Sequence, residues 1–232
     1  ESVEWLPFGS QTEMSTPELE MLSASPESIE LSAQFSGVNL GNTSIAGVDY
    51  LTLTGEGYLS SNQPGDPALP VVRKMVEVPM GAEVSLEILA NESQVVSLSA
   101  LGLDRMIAPV QEDQPKCGDP IAPTVPNTTI YGSGYFPTEP AAIINDFIVR
   151  GHRIVLLEIR PVRYNASAAE LETTSEMTLR LNLQGSDMAL TYSEADRLNS
   201  QPFNRSLQDQ VLNYNQGRPV AIPNTNERIL II

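Results

Sequence analysis

The sequence predicts an antiparallel all-β fold, a β-sandwich with one short C-terminal helix and a long Pro-rich loop. Three observations predict it. Apolar and polar residues alternate with period two through many short runs, as on strands with one buried face. Turn-forming groups at Pro64-Gly65-Asp66-Pro67, Pro79-Met80-Gly81, Arg150-Gly151-His152 and Tyr164-Asn165 separate those runs at short intervals. No amphipathic helices intervene between them, which argues against parallel βαβ units.

Residues 1–28 mix Ser, Thr, Glu and Pro around Trp5, Leu6, Phe8, Leu19 and Met21, and read as an acidic irregular lead-in tethered by Trp5 and Phe8. The sandwich itself reads as residues 29–200. Its first strand sets Ile29, Leu31, Ala33 and Phe35 on one side and Glu30, Ser32 and Gln34 on the other. Further strands are expected at 48–54, 71–78, 83–89, 94–100, 143–149, 153–159 and 171–183. The last is the clearest, with Met177, Leu179, Leu181 and Leu183 inward and Thr178, Arg180 and Asn182 outward. Residues 201–232 read as a helix and junction leading into a following domain; Ser206 caps a helix to about Asn213, with Leu207, Val211 and Leu212 facing inward. Two Pro-rich stretches, 109–127 and 218–223, interrupt the pattern. A loop as long as the first, without secondary structure of its own, is uncommon in a compact domain and usually functional.

The chain has 232 residues, enough for one large domain with appended segments. Its net charge is −16, and residues 1–72 hold ten acidic side chains before the first basic residue, Arg73. That charge repels phosphate backbones and anionic lipid, which argues against nucleic-acid and membrane partners. One cysteine excludes a disulfide framework and a multi-cysteine metal site. No window is apolar for long enough to form a transmembrane helix. A first residue that is Glu1 rather than Met, with few lysines and a strong acidic bias, leads us to expect an extracytoplasmic protein freed of its leader, or part of a longer precursor.

For catalysis the chain offers a single Cys and a single His, Cys117 and His152. Cys117 lies in Gln114-Pro115-Lys116-Cys117-Gly118-Asp119-Pro120, with no helix N-terminus to lower its pKa, and His152 falls in a hairpin turn. They read as a loop thiol and a turn histidine. No nucleophile elbow, Walker loop or HExxH pattern is present, so an enzyme is not expected. Asp66, Asp104, Glu112, Asp113 and Asp119 carry oxygens suited to calcium, but none has the spacing of a calcium loop, and no cofactor is expected.

The order of several motifs resembles the N-terminal propeptide of gingipain-like cysteine peptidases. Gly65-Asp66-Pro67-Ala68-Leu69-Pro70-Val71 is similar to that family's Gly-x-Pro-x-Leu-Pro turn. Ile107-Ala108-Pro109 precedes the Pro-rich loop, with Tyr131-Gly132 and Phe136-Pro137 after it. Pro161-Val162-Arg163-Tyr164-Asn165 resembles the Pro-x-x-Tyr-Asn turn before a long alternating strand. Leu212-Asn213-Tyr214 and Gly217-Arg218 are similar to a helix end and basic junction, and Arg228-Ile229-Leu230-Ile231-Ile232 to the opening strand of the peptidase domain.

The resemblance implies a secreted or cell-surface, non-catalytic prodomain. Its partner is a downstream caspase-like peptidase domain, which it helps to fold and keeps latent. It further implies an inhibitory loop at Pro115, Lys116, Cys117 and Gly118, with Lys116 the only Lys or Arg in residues 109–127 and so the candidate for the specificity pocket. The maturation junction falls at Gly217, Arg218 and Pro219. Because the tertiary amide of an Arg–Pro bond resists most endopeptidases, Arg228 is the alternative. A different class of function fits the same fold: an adhesion or filament-assembly module that self-associates through its apolar 229–232 terminus.

Overall fold

The computed structural model describes residues 4–61, 63–198 and 200–214. Among these, the strands of the first half are β1 (Glu4–Pro7), β2 (Glu18–Ala24), β3 (Ser28–Gln34), β4 (Gly37–Ile45), β5 (Val48–Thr54), β6 (Leu59–Ser60), β7 (Pro70–Glu77) and β8 (Glu83–Ser97). The second half holds helix α1 (Thr128–Tyr131) and strands β9 (Tyr135–Phe136), β10 (Ala141–Val149), β11 (His152–Ile159), β12 (Val162–Asn165) and β13 (Glu170–Gln184). Helices α2 (Met188–Arg197) and α3 (Gln201–Gln210) follow. Gly217, Arg218, Pro219, Arg228 and the 229–232 run lie outside the described residues.

Three antiparallel sheets form, ordered β1-β4-β5, β10-β11-β7-β6 and β2-β3-β13-β12-β9, with β8 on the other edge of β13. They share one core, in which Phe8, Leu31, Phe35, Leu51, Val76, Leu157, Ile159, Met177 and Leu179 meet. Strand β13 is central because its alternation is long and consistent: Leu171, Thr173, Met177, Leu179, Leu181 and Leu183 are all buried. It pairs with β8 along its whole length on one edge. On the other it pairs first with β12 (Val162↔Thr173) and then with β3 (Leu31↔Leu179). The change of neighbour coincides with a bulge at Ser175, where Phe35 N–H donates to the Ser175 carbonyl and Thr174 N–H to that of Pro161.

Several expectations are corrected. The lead-in is not irregular: β1 pairs with β4 and β2 with β3, Leu6 and Phe8 are buried, and Leu19 and Met21 pack against the core. The Ser and Glu residues that disguised β2 form its exposed face, Glu18 and Glu20 among them. The two strands expected at 83–89 and 94–100 are one, because β13 supplies a continuous ladder, and the segment ends in a 3-10 turn at Ser99–Leu101. The single C-terminal helix is two, α2 and α3. Asp187 caps α2 by accepting from Leu190 N–H at 2.8 Å, whereas Ser206 lies inside α3, which begins at Gln201 with Pro202 in its first turn.

Strand β11, the middle of the β10-β11-β7 part of its sheet, is buried on both faces. Val155, Leu157 and Ile159 face the main core, while Ile154 packs with Leu207, Val211 and Tyr214 in a second cluster under α3. The chain then runs along β7: Leu212 N–H donates to the Met75 carbonyl, and the Asn213 side chain both accepts from Glu77 N–H at 2.7 Å and donates to the Glu77 carbonyl at 2.8 Å. Tyr214 closes the segment beside His152, ring centres 5.5 Å apart. His152 Nδ1 lies 2.9 Å from Glu77 Oε1, and burial holds its pKa below the ordinary imidazole value. Because a carboxylate can only accept, Nδ1–H donates to Glu77, and burial disfavours the charged ring.

Two outcomes follow for stability. Leu179 is fully buried between Leu31 and Ile88, so Leu179→Ala is expected to cost about 2–5 kcal/mol, read from urea unfolding midpoints. Because folding lowers the pKa of His152, the folded state takes up its proton less readily than the unfolded chain. The contribution is complete above about pH 6.5 and is lost as pH falls below it. The melting temperature is expected to drop between pH 7.5 and 5.5, and to drop less in His152→Gln; an equal drop in both proteins would contradict this assignment.

Candidate functional site

Residues 109–127 leave the body between two fixed points. On the outgoing side, Leu51 N–H donates to the Met106 carbonyl and Ala108 N–H to that of Leu51, each at 2.8 Å, so 106–108 lies against the edge of β5. On the returning side, the Asn127 side chain accepts from Thr129 N–H at 3.2 Å and starts α1. The Tyr131 hydroxyl then donates to the Ile107 carbonyl at 2.8 Å, tying the two ends together. Tyr131 also meets Tyr164 edge-on, centroids 6.1 Å apart, and burial raises its pKa well above the ordinary phenol value.

The turn Pro64-Gly65-Asp66-Pro67 is wedged between both limbs. Gly65 N–H donates to the Val110 carbonyl and the Gly65 carbonyl accepts from Asn127 N–H. Val110 N–H donates to the Asp66 carbonyl, and the buried Asp66 carboxylate accepts from the Asn127 amide at 3.2 Å. Gly65 has φ +88°, and a Cβ there would stand 3.3 Å from the Val125 carbonyl oxygen, so both the backbone and the fit favour glycine.

Above this root, two glutamine side chains hold the limbs together. Gln111 donates to the Thr124 carbonyl at 3.1 Å and accepts from Thr124 N–H at 2.9 Å. Three residues further, Gln114 donates to the Ile121 carbonyl at 3.3 Å and accepts from Ile121 N–H at 2.9 Å. Each amide thus copies the paired donor and acceptor of a neighbouring strand. Beyond the second clamp, Pro115, Lys116, Cys117, Gly118, Asp119 and Pro120 are exposed, with Gly118 at φ +110° in the turn. The four loop residues singled out from sequence therefore sit together at the tip. Sequence reading missed Gln111 and Gln114. The signal was their spacing of three, mirrored by Ile121 and Thr124 across an apex between Cys117 and Gly118.

The structure does not bring Cys117 and His152 together. Cys117 is a free, exposed thiol, whereas His152 is buried against Glu77 and Tyr214, and no hydrogen bond joins the two. Beside the root lies a cavity of about 370 Å³ lined by Gln63, Asp66, Leu69, Phe136 and Glu158. The Glu158 carboxylate there is held by Arg73 at 2.8 Å and Arg160 at 2.9 Å, which leaves it unsuited to act as a base. Among the described residues no group of three or more His, Cys, Asp or Glu is placed to hold a metal ion, and no helix is long and apolar enough to cross a membrane.

Among the described residues Arg73, Arg153, Arg160, Arg163, Arg180 and Arg197 form ion pairs with carboxylates, whereas Lys116, like Lys74, Arg105, Arg150 and Arg205, forms none. Lys116 is set apart by position, as the one basic residue of the 109–127 loop. Its ammonium projects from the exposed tip of a braced loop.

Comparison with known proteins bears on the family and the fold. The chain is 29% identical over 164 residues, 70% of its length, to Lys-gingipain of Porphyromonas gingivalis, and 28% identical over the same length to Lys-gingipain HG66 of that organism. It spans about a tenth of the length of those curated relatives. A solved structure from work on the zymogenic latency of gingipain K of P. gingivalis superimposes with TM-score 0.66 at 25% identity, covering 80% of this chain and all of the other. A complex of the RgpB pro- and mature domains from P. gingivalis matches with TM-score 0.67 at 17% identity, covering 84% of this chain and 96% of the other, a likeness of fold. The family model Propeptide_C25 matches residues 10–217, and the chain belongs to that family as a non-catalytic propeptide domain.

Proposed function

We propose that this propeptide domain acts outside the cytoplasm, assisting the folding of a caspase-like C25 cysteine peptidase and holding it latent by placing the tip of the 109–127 loop in the active-site cleft. Lys116 enters the specificity pocket, with Pro115, Cys117 and Gly118 along the cleft. The observation that carries this reading is the braced loop, which presents an unpaired lysine at its exposed end. A charged side chain that exchanges water for a complementary pocket dominates such an interface. The bracing reduces the ordering entropy lost on binding. The division into residues 1–28, 29–200 and 201–232 belongs to the same proposal, with the first segment contributing strands β1 and β2.

Release requires cleavage near Gly217, Arg218 and Pro219, or at Arg228. Chain docked along β7 as far as Tyr214 supports a cut beyond that point, because residues up to Tyr214 are held by the body. Cutting after Tyr214 leaves those contacts with the propeptide.

Lys116→Ala is expected to weaken inhibition of the cognate peptidase by about 30- to 1,000-fold, the range of about 2–4 kcal/mol for a dominant interface side chain. Thermal stability should stay unchanged, because Lys116 is exposed. An inhibition constant equal to that of the parent chain removes Lys116 from the mechanism.

A further inference from the structure

We propose that Gln111 and Gln114 are positioning residues that make the tip resist turnover, so that the Lys116–Cys117 bond can lie in a peptidase cleft without the loop being lost as a substrate. This deepens the reading of the loop given above and rests on it.

The geometry carries the argument. Each glutamine forms a two-point bridge to one residue of the opposite limb, Gln111 to Thr124 and Gln114 to Ile121. The bridges are in step, and the apex falls midway between them. Pro115 follows the upper clamp immediately on one limb, and Pro120 precedes it immediately on the other. Both prolines have a fixed φ and no N–H, so the tip is pinned at its two ends by paired amides and stiffened just inside them. Below, Gly65 joins both limbs to the body through Val110 and Asn127. The two halves are therefore held together independently of the peptide bonds at the apex.

That independence has a chemical consequence. Attack of a cysteine-peptidase thiolate on the Lys116 carbonyl forms a thioester and breaks the Lys116–Cys117 amide, and the α-amine of Cys117 leaves with the transferred proton. In an ordinary substrate the amine diffuses away and water hydrolyses the thioester, freeing the Lys116 carboxylate and the peptidase thiol. Here the amine belongs to a limb clamped at Ile121 and Thr124, so it stays beside the thioester at a high effective concentration. Its return re-forms the amide, expels the thiolate and restores the intact loop with no net change.

The test compares the full chain with Gln111→Ala, Gln114→Ala, the double variant and Lys116→Ala. Each is mixed in equal amounts with the cognate C25 peptidase and followed by inhibition and by intact mass. Amide exchange at Ile121 and Thr124 and the melting temperature are measured on the free chains. The double variant is expected to melt like the parent and to exchange those two amides faster. It should bind about tenfold more weakly and then lose inhibition over time as it is cut between Lys116 and Cys117, while the parent keeps inhibiting. Gln114→Ala, whose bridge lies nearer the tip, should show the larger single effect. Should the double variant inhibit as durably as the parent while Lys116→Ala inhibits poorly, the clamp proposal is overturned and the assignment of Lys116 stands. Parent-like inhibition by Lys116→Ala would overturn the assignment on which both proposals rest.

Discussion

Pairing along both edges of β13 is the constraint from which the rest of the structure follows. Its fifteen residues carry β8 on one side and, on the other, β12 followed by β3. A strand paired on both edges satisfies most of its backbone donors and acceptors within the sheet, and its inward residues Leu171, Met177, Leu179 and Leu181 are fully buried. The bulge at Ser175 adds one residue without breaking the alternation on either side, and so permits the change of neighbour. Because β12 joins β13 to β9, and β9 follows α1, the returning limb of the 109–127 loop is connected to this strand by short steps. The outgoing limb is held by β5 and by the turn before β7. The site is thus anchored to all three sheets.

What the sequence revealed and what it concealed divide along physical lines. Period-two alternation exposed β3, β5, β7, β10, β11 and β13, since each sets an apolar face against a core; β11 has a second cluster behind it as well. It failed for β1, β2 and β4, where polar residues are frequent and burial on one side is partial; β4 begins at Gly37 and reads Gly-Val-Asn-Leu-Gly-Asn-Thr-Ser-Ile, too rich in turn formers to suggest a strand. Helix α2 was concealed because only Thr191 and Ala195 of its residues are buried, so it lacks an apolar stripe. The loop tip was visible as a lone lysine among prolines, but its bracing was not. Glutamine amides pairing with backbone leave no hydrophobic pattern, and only the mirrored spacing with Thr124 and Ile121 records them.

The Pro64-Gly65-Asp66-Pro67 turn illustrates how a motif can mark a function without touching it. It contacts the roots of both limbs, through Gly65 to Val110 and Asn127 and through Asp66 to the same two residues, and lies away from the exposed tip. Its three hydrogen-bonding peptide groups do for the base of the loop what the glutamines do above it. A rigid support of this kind matters more for a projecting segment than for a flat interface, because any freedom at the root is amplified at the end.

Charge imposes a further demand on that projection. The chain is strongly acidic, and the loop carries Glu112, Asp113 and Asp119 beside its one lysine. A pocket that selects an ammonium group must itself offer negative charge, so carboxylates entering with Lys116 would oppose its binding. The clamps separate these charges along the loop. Glu112 and Asp113 lie between Gln111 and Gln114, within the braced stalk, whereas Lys116 lies beyond the second clamp. Only Asp119 shares the tip, on the far side of the Gly118 turn. In the proposed complex, holding the stalk upright would serve electrostatics as well as order, because a collapsed loop would carry the stalk carboxylates to the cleft together with the lysine.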